Sequence, residues 1–257
     1  MREFGLVAID VDGVLRDTSR LFYECHKRAL RTVGLEEEFS RCFDVRDIWH
    51  FKGMGSFSNK KDSLSVIYAV AKAGKLGRIR RMIYGVGAEA KILKLANSCK
   101  ERPSADELNL MVKEYVNEAM AKSARSFVRL YPGVPKTISR IKARAGKIAI
   151  VSNSDILTIE RDLKHLLPKF DYVVSSRDVK VLKPSGEGLR LLSKMSNVRP
   201  DRIAYIGDTV VDIRAAKDAG CIPISTLCGM GLESYIRKEK PELVFKDLKD
   251  AAEQMFK

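Results

Sequence analysis

The sequence predicts a doubly wound α/β domain, a parallel sheet with helices on both faces, interrupted after its first strand by an all-helical insert. Six short apolar runs carry the first part of that reading: Leu6 to Asp10, Lys147 to Ser152, Tyr172 to Ser175, Arg202 to Gly207, Cys221 to Ser225 and Leu243 to Phe245. They are rich in Val and Ile and lack alternation, as strands buried on both faces do. Helix-period segments precede or separate them, which makes the sheet parallel. The stretch from Val14 to Tyr131 has long helical patterns and no strand pattern.

Taken in order, the first strand (LVAID) leads into an insert with helices expected over Thr18 to Val33, Lys60 to Ala73, Arg78 to Ser98 and Ala105 to Ser123. The chain rejoins the sheet at Tyr131-Pro132-Gly133, so residues 1–13 and 132–257 are assigned to the α/β core and 14–131 to the insert. Core helices are expected over Pro135 to Ala145, Ile156 to Leu167 with Ser154 or Asp155 as cap, Gly188 to Ser196, and Asp212 to Ala219 ending at Gly220. Nothing repeats at a fixed period, which excludes a solenoid.

With 45% hydrophobic and 31% charged residues, the chain is neither disordered nor collagen-like. Its 257 residues suit one large core or a core with an insert. The longest charge-free stretch, Ala219 to Leu232, is broken by Pro223 and glycines and is shorter than the roughly 18 residues of a spanning helix. No membrane partner is expected. The first strand is not preceded by a basic segment, apolar stretch and small-residue cleavage site, which reads as cytoplasmic. Five widely spaced cysteines without a C-x-x-C pair argue against a disulfide framework or zinc site.

The formal charge is +14, and the insert supplies most of it, with 23 basic against 14 acidic side chains. Such an excess bears on association, not on fold. The basic run Lys75 to Arg81, with Lys91 and Lys94, has few aromatic residues for base stacking and reads as a solvated helix face, so nucleic acid is not an expected partner. Gly53-x-Gly55 and Gly85-x-Gly87 complete no nucleotide-binding loop.

Ligands of open parallel sheets bind at the carboxyl ends of the strands, which makes the strand ends informative. The first ends in Asp10-Val11-Asp12-Gly13, two carboxylates whose repulsion calls for a cation or substrate between them. The second ends in Ser152-Asn153-Ser154-Asp155, able to hold a phosphate oxygen or simply to cap a helix. Beyond the third comes Lys183-Pro184, a point charge for a phosphoryl group or one more surface lysine. The fourth ends in Gly207-Asp208-Thr209-Val210-Val211-Asp212, with two carboxylates one helical turn apart. Together Asp10, Asp12, Asp208 and Asp212 make an oxygen-rich cluster suited to Mg²⁺.

These ordered motifs resemble those of the haloacid dehalogenase superfamily of aspartate-nucleophile phosphohydrolases, which have a Rossmann-like core. Asp10 to Leu15 resembles its first motif, Ser152 its second, Lys183-Pro184 its third, and Gly207 to Asp212 with Ala215-Ala216 and Ala219-Gly220 its fourth. The insert's position is similar to the helical cap of the subfamily containing phosphoglycolate phosphatase and β-phosphoglucomutase. Val14 replaces a frequent Thr, and Ser185-Gly186 follows Lys183-Pro184 where relatives often have x-Pro; neither removes a catalytic group.

The resemblance implies a phosphoric monoester hydrolase acting on a small phosphorylated metabolite. Asp10 would be the nucleophile and Asp12 the acid and base. Asp10, Asp12 through its backbone carbonyl, and Asp208 would ligate Mg²⁺, with Asp212 supporting the metal site or Lys183. Ser152, Asn153 and Lys183 would bind the phosphoryl group. A sugar phosphomutase is the alternative, followed by a non-catalytic nucleic-acid or protein-binding module on the same scaffold. Within the insert, Arg16 and Lys52 are candidate substrate contacts at the entrance, with an exposed surface role as the alternative, and His50 is assigned to local packing with a substrate contact as the alternative; His26 in the insert and His165 in the core are read as surface or partly packed residues.

Overall fold

The structure is a computed structural model that describes residues 4–256. Six strands form one parallel sheet: β1 (Leu6–Ile9), β4 (Ile148–Val151), β5 (Tyr172–Val174), β6 (Ile203–Gly207), β7 (Ile222–Thr226) and β8 (Leu243–Phe245). Two further two-residue strands, β2 (Arg16–Asp17) and β3 (Arg129–Leu130), pair antiparallel as a separate ribbon. The sheet order is β5-β4-β1-β6-β7-β8. The first strand therefore lies at the centre, with Val7 opposite Ile148 on one side and Ala204 on the other.

Both faces of the sheet are covered, which explains the uninterrupted apolar runs. Along β1 the period of two sends Val7 and Ile9 to one face, where they join Ile138, Ile141, Ile159 and Leu163 from the helices Val134–Ala145 and Ile156–Leu163. Leu6 and Ala8 point to the other face, against Leu189, Leu192, Ala215 and Ala216 of Glu187–Ser196 and Val210–Asp218. Each of these helices falls within a few residues of its expected range. Asp155 is the cap of Ile156–Leu163, accepting from the Leu157 amide.

The chain divides into two compact units, one ending its first pass at Asp17 and resuming at Arg129, the other Thr18–Val128. The sheet unit thus includes Val14 to Asp17 and Arg129 to Tyr131, which the sequence assigned to the insert. The reason is the ribbon: β2 and β3 bind the outgoing chain to the returning one, and the Tyr131 amide donates to the Leu15 carbonyl at 3.1 Å.

The second unit is helical, built from Ser19–Arg31, Glu36–Cys42, Val45–Gly53, Lys60–Lys72, Leu76–Ile83, Ala88–Ser98 and Ala105–Met120. The continuous helix expected over Arg78 to Ser98 is two, because Gly87 takes a left-handed φ of 68° between them. Two helices between residues 36 and 53 were not expected. The second is started by a capping box in which the Asp44 side chain accepts from the Arg46 and Asp47 amides and the Asp47 side chain accepts from the Asp44 amide. Among the described residues, no helix is long and apolar enough to cross a membrane. All five cysteines are free, three of them buried.

The interior of the helical unit holds two basic side chains that sequence reading placed elsewhere. His26 is fully buried, with its ring nitrogens on the Phe22 carbonyl at 2.7 Å and Ser63 Oγ at 3.0 Å. Burial, and then the charge of Lys52, pull its pKa down to about 3. Lys52 is itself buried, its ammonium donating to the Ser58 carbonyl and lying 5.8 Å from the Phe22 ring centroid. Burial and the neighbouring Lys60 lower its pKa to about 7. The unfolded chain would hold a proton on Lys52 up to its ordinary value of 10.5, whereas the folded chain releases it near 7, so stability rises with pH across that window and is lost on acidification. Lys52→Met removes this dependence. In urea titrations the variant should be more stable than wild type at pH 7, and the gap should close by pH 10; a constant gap would contradict the burial argument.

Candidate active site

The strand order brings the ends of β1 and β6 together at the point where the sheet reverses direction of growth. Asp10 follows the last residue of β1 and Asp208 the last residue of β6, and the Asp10 amide donates to the Ile206 carbonyl at 2.9 Å. Asp12 lies in the turn after β1, Ser152 follows β4, and Asp212 is in the first turn of Val210–Asp218. All five side chains are buried.

Lys183 reaches this cluster from the loop before Glu187–Ser196. Its ammonium donates to Asp10 Oδ1 at 2.8 Å, Asp212 Oδ1 at 2.6 Å and the Tyr205 hydroxyl at 2.7 Å. Tyr205 in turn donates to the Val151 carbonyl at 2.8 Å. Burial alone would lower the lysine's pKa, but Asp10 and Asp212 override it and hold the ammonium above its ordinary value. Asp212 shows the reciprocal effect: burial opposes ionisation, yet Lys183 holds its carboxyl below the usual value. Its other oxygen accepts from the Thr209 amide and hydroxyl at 3.0 and 2.5 Å, so both oxygens are committed.

Asp10 and Asp208 are the carboxylates that the lysine leaves undercompensated. Burial raises Asp10 to about 6 despite Lys183, with Asp212 and Asp12 adding to the rise. Burial, then Asp212 and Asp10, raise Asp208 as well. Carboxylate oxygens of Asp10, Asp208 and Asp212 lie within 4.8 Å of one another, and the buried Asp208 Oδ1 has no hydrogen-bond partner among the described residues. A hard divalent cation fits this donor set and would satisfy that oxygen. The walls are made by close backbone approach: a Cβ on Gly229 would lie 2.0 Å from Asp208 Oδ2, and one on Gly13, whose φ is +88°, 2.1 Å from the same atom. The Met230 amide donates to Asp208 Oδ2 at 2.6 Å.

Asp12 is held from two sides. Arg16 Nε donates to Asp12 Oδ1 at 2.8 Å, while the Ser154 hydroxyl donates to Oδ2. Ser152 Oγ accepts from the Ser154 amide at 3.2 Å, starting the turn into Ile156–Leu163. Asn153 brackets the backbone of Lys183, accepting from its amide at 2.9 Å and donating to its carbonyl at 3.2 Å. The side chain of Asn153 therefore has a task in positioning Lys183 that the sequence did not indicate.

The candidates beyond the strand ends fare differently. Arg16 is 2% exposed and occupied by Asp12, Asp162 and the Thr158 carbonyl, so it is an internal ion pair and not an entrance residue. Lys52 and His26 are interior to the helical unit. His50 packs edge-on against Tyr84, ring centroids 5.5 Å apart, and His165 is exposed. Sequence reading missed Tyr205 and the Cys228 to Gly231 loop. The loop follows the end of β7, a strand end that the same inspection would have reached, and Tyr205 was the one polar side chain in an otherwise apolar run.

Comparison with known proteins finds relatives that share this fold. A model of the haloacid dehalogenase-like hydrolase family matches residues 4–220. A phosphoglycolate phosphatase of Mannheimia succiniciproducens is 27% identical over 174 residues, which is 65% of this chain and 76% of that one. The phosphoglycolate phosphatase of Escherichia coli K12 is 24% identical over 57% of this chain and 59% of its own length. Among solved structures, a predicted phosphoglycolate phosphatase from Haemophilus somnus superposes with a TM-score of 0.73 at 21% identity, covering 99% of both chains. A haloacid dehalogenase-like family hydrolase from Streptococcus pneumoniae gives 0.71 at 16% identity, covering 99% of this chain and 100% of that one. With the model spanning most of the sequence, the chain belongs to the haloacid dehalogenase-like hydrolase family.

Proposed function

We propose that this hydrolase is a Mg²⁺-dependent phosphatase that cleaves a small phosphate monoester through an aspartyl-phosphate. The observation that carries the reading is the convergence at the ends of β1 and β6: Asp10 paired to Lys183, beside an Asp208 oxygen that lacks a partner among the described residues. Phosphoglycolate, which names the relatives, heads the list of candidate substrates.

In this mechanism an Asp10 oxygen forms a bond to phosphorus as the ester P–O bond breaks. The leaving oxygen takes a proton from Asp12. Water then attacks the phosphorus of the aspartyl-phosphate while Asp12 takes a proton back, and the Asp10–phosphorus bond breaks to release inorganic phosphate. Lys183 neutralises negative charge at the nucleophile and on the phosphoryl oxygens, and Ser152 would donate to one of those oxygens. Held by Asp10, Asp208 and the Asp12 carbonyl, Mg²⁺ would withdraw charge from the phosphoryl group. The helical unit, inserted directly after Asp17, would serve as the cap that excludes bulk water and selects the leaving group.

Three measurements test this. A panel of phosphorylated metabolites should yield inorganic phosphate from at least one, and Asp10→Asn should reduce that rate by about three orders of magnitude or more with an unchanged melting temperature. Near-wild-type turnover in an Asp10→Asn variant verified by mass spectrometry would refute the covalent route. Chelation should stop turnover, with Mg²⁺ restoring it and excess Ca²⁺ failing to, since Ca²⁺ takes a larger and looser oxygen shell. Turnover that persists in excess chelator would remove the metal from the scheme. Finally, Gly229→Ala should weaken Mg²⁺ binding by about 10- to 100-fold in calorimetry, because the new methyl group displaces Asp208.

A further inference from the structure

We propose that Arg16 is the positioning residue for Asp12, fixing the direction in which the acid and base presents its carboxyl group. The inference rests on the phosphatase reading above and adds a specific residue to it. Arg16 is among the largest fully buried side chains of the protein. Four bonds hold its guanidinium. Nε meets Asp12 Oδ1 at 2.8 Å, Nη1 meets Asp162 Oδ2 at 2.5 Å and the Thr158 carbonyl at 3.0 Å, and Nη2 meets Ser154 Oγ at 3.5 Å. Asp162 is gripped in turn by Arg161, whose Nε donates to Oδ1 at 2.6 Å. The far end of the guanidinium is therefore anchored to the helix Ile156–Leu163, a rigid element packed on the sheet, and the near end carries Asp12.

The second contact on Asp12 comes from the same region. Ser154, immediately before that helix, donates to the other carboxylate oxygen. Two donors on different oxygens fix both the rotamer and the plane of the carboxylate. A planar guanidinium suits this task because its donors diverge in one plane, so one group can reach Asp12 on one side and Asp162 on the other, which an ammonium on a flexible stem cannot match. Proton transfer is sensitive to direction, and a small misplacement of the donor is costly. Arg16 does not touch the reacting atoms in this scheme; it acts through Asp12.

Leaving-group dependence tests this. An alkyl phosphate such as phosphoglycolate needs its leaving oxygen protonated, whereas p-nitrophenyl phosphate expels a stable anion that needs little help. For Arg16→Gln, kcat/KM should fall by roughly 100-fold on the alkyl ester but by no more than about fivefold on the aryl ester, because only the former draws on the acid. Asp12→Asn should show the same selectivity, and adding Arg16→Gln to Asp12→Asn should cost nothing more on either substrate. Ser154→Ala and Asp162→Asn should show the same pattern more weakly, and they serve as the test if Arg16→Gln does not fold, as judged by circular dichroism. Equal losses on both esters, or a further selective loss in the Asp12→Asn background, would overturn the assignment of Arg16. If Asp12→Asn itself lacks selectivity, the acid–base role of Asp12 fails first, and the assignment of Arg16 falls with it.

Discussion

The site depends on one charge arrangement: a buried ammonium, Lys183, shared between Asp10 and Asp212 at the carboxyl ends of the central strands. Taking three ions out of water is expensive, and only short, well-directed bonds recover the cost. Those bonds require Lys183 to arrive at one place. Asn153 holds its backbone, Tyr205 receives its third hydrogen bond, and Thr209 saturates the far side of Asp212. Removing one member would leave the others charged and unpaired in the interior, at a cost of about 3–5 kcal/mol. The parallel sheet contributes by placing β1 between β4 and β6, so that three strand ends open onto the same few ångströms.

The other buried cation has a separate task. Lys183 pairs with Asp10 and Asp212, whereas Arg16 pairs with Asp12 and Asp162. Separating the two keeps Asp10 and Asp12 from competing for one counter-charge. Asp208 hydrogen-bonds to neither cation, and its oriented oxygen, unpartnered among the described residues, is what suits the cluster to a divalent ion.

The strand runs, the core helices and the four acidic or basic strand ends were legible in the sequence because each rests on local pattern: an apolar run, a cap, a carboxylate after the last apolar residue. What was not legible depends on long-range pairing. Arg16 read as an entrance residue because the sequence does not reveal that Asp162, far along the chain, lies 2.5 Å from its guanidinium. Lys52 read as an entrance or surface residue and His26 as surface or partly packed because charge normally favours solvent, and only tertiary packing shows that a carbonyl and a ring receive the one and a serine the other. Asn153 lies beside Ser152 in sequence, and its two side-chain bonds to the Lys183 backbone, 30 residues on, are legible only in the fold.

The junctions of the insert explain how a long helical segment can interrupt a sheet without disturbing the chemistry. The outgoing chain at Arg16 and the returning chain at Leu130 are paired directly, so the two crossings belong to the sheet unit. Each crossing also supports a loop of the candidate site. On the outgoing side, Arg16 holds Asp12. On the returning side, the Tyr131 hydroxyl donates to the Cys228 carbonyl at 3.0 Å, fixing the start of the loop whose Met230 amide holds Asp208. Burial raises the phenol far above its ordinary pKa, so this bond persists as a neutral hydroxyl donor at any physiological pH. Asp12 and Asp208 are therefore held in place by residues of the sheet unit.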